Sequence, residues 1–281
     1  MQVIGKVEEM AAASRELRRA GKTIGFVPTM GYLHEGHLSL VGLSKARADL
    51  TVLSIFVNPT QFGPNEDLGR YPRDAEGDLQ KCKDNGVDVV FFPDAAGMYP
   101  EGYCTYVDVE AVSEGLCGSS RPGHFRGVAT VVAKLFNIVK PDRAFFGQKD
   151  FQQTVVIRRM VKDLNMDTEV VIGPTLREPD GLAMSSRNVY LAPGERAAAA
   201  SLFAALSAAK ELYASGERDA GRLKARVYEI LAGEPMVRPE YVEAVDIDMR
   251  PARVAGDDTV IAIAARLGNT RLIDNIPLSG S

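Results

Sequence analysis

Cysteine and histidine are scarce in this 281-residue chain, with three of each. Cys82, Cys104 and Cys117 are odd in number and lack CxxC spacing, so neither a disulfide framework nor a zinc knuckle is indicated and a reducing cytoplasm is the expected location. No long basic stretch offsets the formal net charge of −4, which argues against a nucleic acid partner. Long apolar runs are also missing. The most apolar, residues 197–209, is mostly alanine and too weakly hydrophobic to span a bilayer, so no membrane partner is expected. Residues 1–20 carry seven charged side chains where a signal peptide needs an apolar stretch, so no export signal is expected. No tandem repeat or low-complexity segment stands out.

What is present is a folded globular composition, with 46% hydrophobic and 25% charged residues. Short β-rich runs alternate with helical patterns: strands over 23–27, 50–57, 87–92, 144–146 and 169–172, and helices over 37–47, 74–85, 128–139 and 150–164. Strands separated by helices predict an α/β fold, a doubly wound parallel sheet covered on both faces. After Pro174 the composition changes to alanine-rich helices over 195–215 and 220–232 and strands over 241–247 and 259–265. The expected division is a first domain over 1–175 and a second, smaller α+β domain over 176–281 that covers the site.

The most informative segment runs from Phe26 to His37, where a strand ends in a Pro and Gly turn and a helix begins beside His34 and His37. Carboxyl ends of strands are where open α/β sheets bind ligands, and a helix N-terminus favours anions. Two imidazoles there can donate to phosphate oxygens, and Gly36 leaves room for phosphate near the backbone. The segment also resembles a zinc-protease helix, but that motif needs His at i and i+4, and here the separation is three. Gly21-Lys22-Thr23 is a false phosphate loop, since Glu16 stands where the required glycine belongs.

Four further segments add polar groups. Gly147-Gln148-Lys149-Asp150, with Gln153 beyond, pairs a cation for phosphate with a carboxylate that could cap the helix or hold ribose. Met184-Ser185-Ser186-Arg187 combines hydroxyls and a guanidinium. Asn58 and Gln61 follow the second strand as neutral hydrogen-bonding groups, and the Pro-, Gly- and charge-rich stretch from Gly63 to Arg73 reads as a lid. Arg121 and His124 sit in a Gly and Pro loop whose contact with phosphate, lid or a second subunit stays open. Each segment alone is equally an ordinary capped helix or surface loop.

Taken in order, the motifs Pro28-Thr-Met-Gly-x-Leu-His-x-Gly-His37, Asn58-Pro-x-Gln-Phe62, Arg121-Pro-Gly-His-Phe125 and Gly147-x-Lys-Asp-x-Gln152 resemble the AMP-forming pantoate:beta-alanine ligases. The resemblance spans nearly all of the first domain and reaches the Met-Ser-Ser-Arg loop. The chain is similar more widely to nucleotidyltransferases with a His-x-Gly-His motif on a Rossmann-like fold. Their Lys-Met-Ser-Lys-Ser signature reads Ala183-Met-Ser-Ser-Arg187 here, so Lys149 and Arg187 would supply the charge.

The resemblance implies a ligase of pantothenate and coenzyme A biosynthesis that condenses pantoate with beta-alanine through a pantoyl adenylate, releasing AMP and pyrophosphate. It implies His37, His34 and Lys149 as catalytic residues and Mg²⁺ accompanying ATP, with no metal ligand assigned. ATP would be enclosed by Met30, Gly31, Tyr32, Leu33, His34, Glu35, Gly36 and His37, by Gly147, Gln148, Lys149 and Asp150, by the backbone at Leu176, and by Met184, Ser185, Ser186 and Arg187. Pantoate would meet Gln61, Gln153 and Asn58, and beta-alanine would meet Gln61. A cytoplasmic homodimer is implied as well. Two other readings remain: a nucleotidyltransferase acting on a phosphorylated alcohol, which would call for extra Arg or Lys at the acceptor, and a non-catalytic nucleotide sensor.

Overall fold

The computed structural model describes residues 1–64 and 66–279; Asn65, inside the expected lid, and residues 280–281, at the end of the expected second domain, lie outside the described residues. In chain order the elements are β1 (Gln2–Ile4), α1 (Val7–Arg19), β2 (Ile24–Thr29), α2 (Glu35–Lys45), β3 (Leu50–Ile55), α3 (Ala75–Asp84), β4 (Val89–Phe91) and two short helices, α4 (Ala95–Met98) and α5 (Cys117–Ser120). They continue with α6 (His124–Val139), β5 (Arg143–Gly147), α7 (Phe151–Asp163), β6 (Glu169–Gly173), α8 (Pro193–Ala199), α9 (Ser201–Ala214), α10 (Ala220–Leu231), β7 (Val237–Val245), β8 (Val260–Leu267) and β9 (Thr270–Pro277).

Six strands pair in the order β1-β4-β3-β2-β5-β6, all parallel, as the alternation predicted. Successive strand residues face opposite sides. Ile24 and Phe26 of β2 join the core made with Val128, Val132 and Phe136 of α6, whereas Val27 joins the core made with Leu40 and Val41 of α2 and Cys82 of α3. Two covered faces explain why these strands read as unbroken apolar runs rather than alternating ones.

The strand order also fixes where a ligand can enter. From β2 the chain moves to β3 and β4 on one side, then returns to place β5 and β6 on the other, so the order reverses between β2 and β5. Ligands bind outside the carboxyl ends of strands at such a reversal. Pairing of β2 with β5 stops at Phe26, two residues before Pro28, which has no N–H for a ladder. The two strands part there, and a cavity opens between them.

The second, antiparallel sheet has the order β7-β8-β9, and its core joins Ile261 and Ile263 of β8 to Leu202 and Leu206 of α9 and Leu223 and Val227 of α10. Strand β1 and helix α1 are not among the expected elements, and other local expectations change. The helix expected over 195–215 is two, α8 and α9, because the Ser201 hydroxyl donates to the Ala198 carbonyl at 2.7 Å and competes with the backbone ladder. Strand β9 has no counterpart among the expected strands. Helix α2 begins at Glu35 rather than His37, since His34 is its N-cap.

Candidate active site

His34 and His37 close a reciprocal cap on α2. The Nδ1 of His34 accepts the Gly36 N–H at 3.2 Å, and the Nδ1 of His37 accepts the His34 N–H at 3.3 Å. Their ring centroids are 4.1 Å apart. With both Nδ1 atoms accepting, each neutral ring keeps its hydrogen on Nε2 and is a donor in the cavity wall. The space a side chain at position 36 would need is filled by the His34 ring, 2.9 Å from that point, so this glycine makes room for a histidine as well as for a ligand.

Burial and then the Lys149 charge push His34 down to about 4; burial, His34 and then Lys149 push His37 down to about 3. Burial, with Arg121 next, pushes His124 down to about 4. All three are neutral at pH 7. Because the unfolded chain protonates its histidines near 6.5 and the folded chain does not until pH 3–4, their contribution to stability is full above about 6.5 and falls as pH drops toward 4. The expected slope is about 1 kcal/mol per pH unit for each histidine. Urea midpoints that stay level from pH 6.5 to 4.5 would contradict this.

The cavity, of about 210 Å³, collects groups from the ends of four adjacent strands, β3, β2, β5 and β6. Met30 lies beyond β2. Asn58 and Gln61 lie beyond β3, Gly147, Lys149, Asp150 and Gln153 at and beyond β5, and Leu176 beyond β6. Met184 to Arg187 cover them, with the Met184 N–H donating to the Leu176 carbonyl at 3.0 Å and the Ser186 hydroxyl to the Tyr32 carbonyl at 3.3 Å. Gly31, Tyr32, Leu33, Glu35 and Gln148, expected around ATP, do not line the cavity. Leu33 is buried in the core with Val27, and the Gln148 amide donates to Asn275 Oδ1 at 3.0 Å. Asp150, offered as a cap, makes no side-chain cap bond to α7.

Asn58 is committed internally. Its amide nitrogen donates to Gln61 Oε1 at 3.0 Å and to the Gly127 carbonyl at 3.2 Å, and its oxygen accepts from the Tyr99 hydroxyl at 2.8 Å. Gln61 Nε2 in turn reaches Met30 Sδ at 3.1 Å. Asn58 thus fixes the orientation of Gln61.

Three cations line the cavity, and two are tied to the lid stretch. Arg187 grips Asp67 through two bonds of 2.8 and 2.9 Å, and Arg121 grips Glu66 through bonds of 2.8 and 2.5 Å. Arg121 also meets His124 Nε2 at 3.0 Å, and His124 Nδ1 donates to the Gln61 carbonyl at 2.8 Å. Of the two residues left open in the sequence, Arg121 therefore contacts the stretch expected as a lid, while His124 bonds Arg121 and Gln61. Arg187, expected to be available to phosphate, is occupied by Asp67. Lys149 has no carboxylate partner among the described residues, while its backbone carbonyl is held by the Asn275 amide at 2.9 Å.

Sequence reasoning missed Glu66, Asp67 and Asp78. The lid acids carry no motif and their partners are 55 and 120 residues away. Asp78 had one signal, an acid one turn before Cys82 in the apolar row of α3. Among the described residues no three His, Cys, Asp or Glu converge as a metal cage.

A family model described as pantoate-beta-alanine ligase matches residues 2–277. A pantothenate synthetase from Geobacter sulfurreducens is 57% identical over 279 residues, covering 99% of both chains. The crystal structure of pantothenate synthetase from Thermus thermophilus superposes with a TM-score of 0.95 at 44% identity, covering 100% of both chains. A pantoate-beta-alanine ligase from Francisella tularensis, solved with beta-gamma ATP and beta-alanine, superposes with a TM-score of 0.82 at 32% identity, covering 100% of this chain and 99% of that one. With the family model spanning residues 2–277 and the Geobacter relative 57% identical over 99% of the chain, this protein belongs to the pantoate-beta-alanine ligase family.

Proposed function

We propose that the cavity carries out the family's ATP-dependent condensation of pantoate with beta-alanine in two steps. A carboxylate oxygen of pantoate attacks the α-phosphorus of ATP and pyrophosphate leaves, giving pantoyl adenylate; the beta-alanine amine then attacks the acyl carbon, loses a proton and expels AMP. The observation that carries this reading is the meeting of His34, His37 and Lys149 in one cavity with Gln61 and Gln153. Charge builds on the α-phosphate and departing pyrophosphate, so fixed donors and a cation lower the barrier most. His37 and His34 present N–H groups and Lys149 an ammonium. Ser185, Ser186 and the backbone near Met30, Gly147, Leu176 and Met184 enclose the nucleotide, and Asp150 meets ribose. Among the described residues no three side chains form a metal cage, so Mg²⁺ would enter with ATP and would supply charge neutralisation of the phosphates.

Gln61 and Gln153 hold pantoate, and Gln61 also meets beta-alanine, the ligand carried by the Francisella relative. Neutral amides suit a hydroxy acid. The cation nearest Gln61, Arg121, is neutralised by Glu66, which disfavours a phosphorylated acceptor. A cavity of about 210 Å³ lies below the roughly 300–1,000 Å³ of ordinary ligand pockets. Glu66 and Asp67, which bridge to Arg121 and Arg187 of the cavity wall, release these cations to admit ATP and reform the bridges to keep water from the adenylate. The enzyme works in the cytoplasm, where Cys82, Cys104 and Cys117 stay as free thiols, and as the homodimer its family resemblance implies.

The test is purified protein given ATP, pantoate and beta-alanine. AMP and pantothenate are expected together and only with both organic substrates present, whereas pyrophosphate needs pantoate alone for a single turnover. Gln61→Ala raises the KM for pantoate about 10- to 100-fold, because one hydrogen bond to a charged group is lost, and changes that for ATP far less. AMP release without pantoate would overturn the assignment.

A further inference from the structure

Helix α3 lies outside the cavity, yet it holds the turn from which both histidines project. Asp78 is 1% exposed. Its Oδ2 accepts the Tyr32 N–H and its Oδ1 the Leu33 N–H, each at 2.7 Å. One helical turn on, Lys81 Nζ donates to the Leu33 carbonyl at 2.8 Å. Three backbone groups just before the N-cap of α2 are thus fixed by two side chains of one helix.

The turn needs that restraint. Gly31 and Tyr32 both have positive φ, 81° and 51°, and for tyrosine this conformation is disfavoured. A side chain at position 31 would come within 2.9 Å of Asp78 Oδ2, so the glycine admits the carboxylate as well as the turn. A buried carboxylate close to a triphosphate site works against anion binding by simple Coulomb repulsion. Its retention is explained by its two N–H partners, which take up the charge and fix the chain direction into His34.

We propose that Asp78 is a positioning residue for the first chemical step: with Lys81, it sets the 31–34 turn so that His34 and His37 meet the α-phosphate in reacting geometry. This deepens the ligase reading and rests on it. A displacement of about 1 Å in groups facing a reacting phosphorus lowers a rate about 100-fold without a comparable loss of binding.

The test uses the full chain with ¹⁵N-labelled histidine. There are three histidines, and His124, on α6 and bonded to Arg121 and Gln61 rather than to the 31–34 turn, is an internal control. Asp78→Asn keeps the size but turns one acceptor into a donor facing an N–H. The expected result is shifted imidazole signals for His34 and His37, an unchanged His124 signal, and single-turnover adenylate formation about 100-fold slower with ATP binding weakened much less. Should Asp78→Asn fail to fold, Lys81→Met tests the other half of the clamp by rate alone, with a loss of about tenfold, since its charge acts directly on both histidines. Unchanged His34 and His37 signals, or a rate within twofold of the unaltered enzyme, would overturn the proposal. An unaltered enzyme that makes no adenylate would instead remove the ligase reading.

Discussion

Lys149→Ala is expected to slow adenylate formation about 10²- to 10³-fold, the usual effect of removing one preorganised group from a developing anion. Of the three cations around the cavity it is the one with no carboxylate ion pair among the described residues, so its ammonium is available to the phosphates. Its main chain is pinned from β9 by Asn275, so removing the ammonium leaves the local backbone in place. The loss also has a signature away from activity. Lys149 is one cause of the low His34 and His37 pKa values, so both rise in the variant and protonation of His34 begins at higher pH. His37→Ala has a similar kinetic effect for another reason: it deletes a donor and releases the His34 N–H. Rapid-quench measurement of pantoyl adenylate decides both, and a Lys149→Ala rate within tenfold of the unaltered enzyme contradicts the assigned role.

The largest loss of stability is expected from Arg177→Met. Arg177 reaches Asp274 through bonds of 2.6 and 3.0 Å, donates to the Gly181 carbonyl at 3.1 Å, and stacks on Phe203 with 3.8 Å to the ring centroid. Asp274 is 3% exposed, and burial already pushes its carboxyl above the ordinary value despite the arginine. Removing the cation strands this carboxylate, at a cost of about 3–5 kcal/mol. The sign with pH follows. The folded variant binds a proton at Asp274 more readily than the unfolded chain, so the deficit against the unaltered protein is largest at neutral pH and shrinks as pH falls through the folded pKa. Urea unfolding at pH 7 and pH 5 measures this, and adding Asp274→Asn should recover more than half of the loss. An equal deficit at both pH values would mean that the stranded charge is not its cause.

Much of the fold was legible because its signals are local. Each long strand of the parallel sheet is an apolar run of a few residues, and each site motif sits where such a run meets a helix: Pro28 to His37, Asn58 to Gln61 and Gly147 to Gln153. What escaped depends on distant partners. Strand β1 is three residues long and pairs with β4, Gln2 opposite Val89, so its own sequence could not declare it. Strand β9 contains Asp274 and Asn275, residue types depleted in strands, because those positions hold Arg177 and the Gln148–Lys149 backbone. Position along the chain told where Arg187 lies but not that Asp67 occupies it. The histidines were readable as phosphate donors; that they cap each other, and that a buried aspartate on another helix supports them, required three-dimensional geometry.

The adjoining acids of the lid stretch impose a threshold on what may enter. While Glu66 holds Arg121 and Asp67 holds Arg187, each guanidinium already has a bidentate oxyanion in place, so a monovalent solute gains little by exchanging with it. A polyphosphate carries several charges along one flexible chain and can displace both carboxylates in succession, with each exchange bringing the next oxygen within reach. A single small anion such as chloride offers no such succession, and on the proposed reading both guanidiniums await a guest that can release the two acids one after the other.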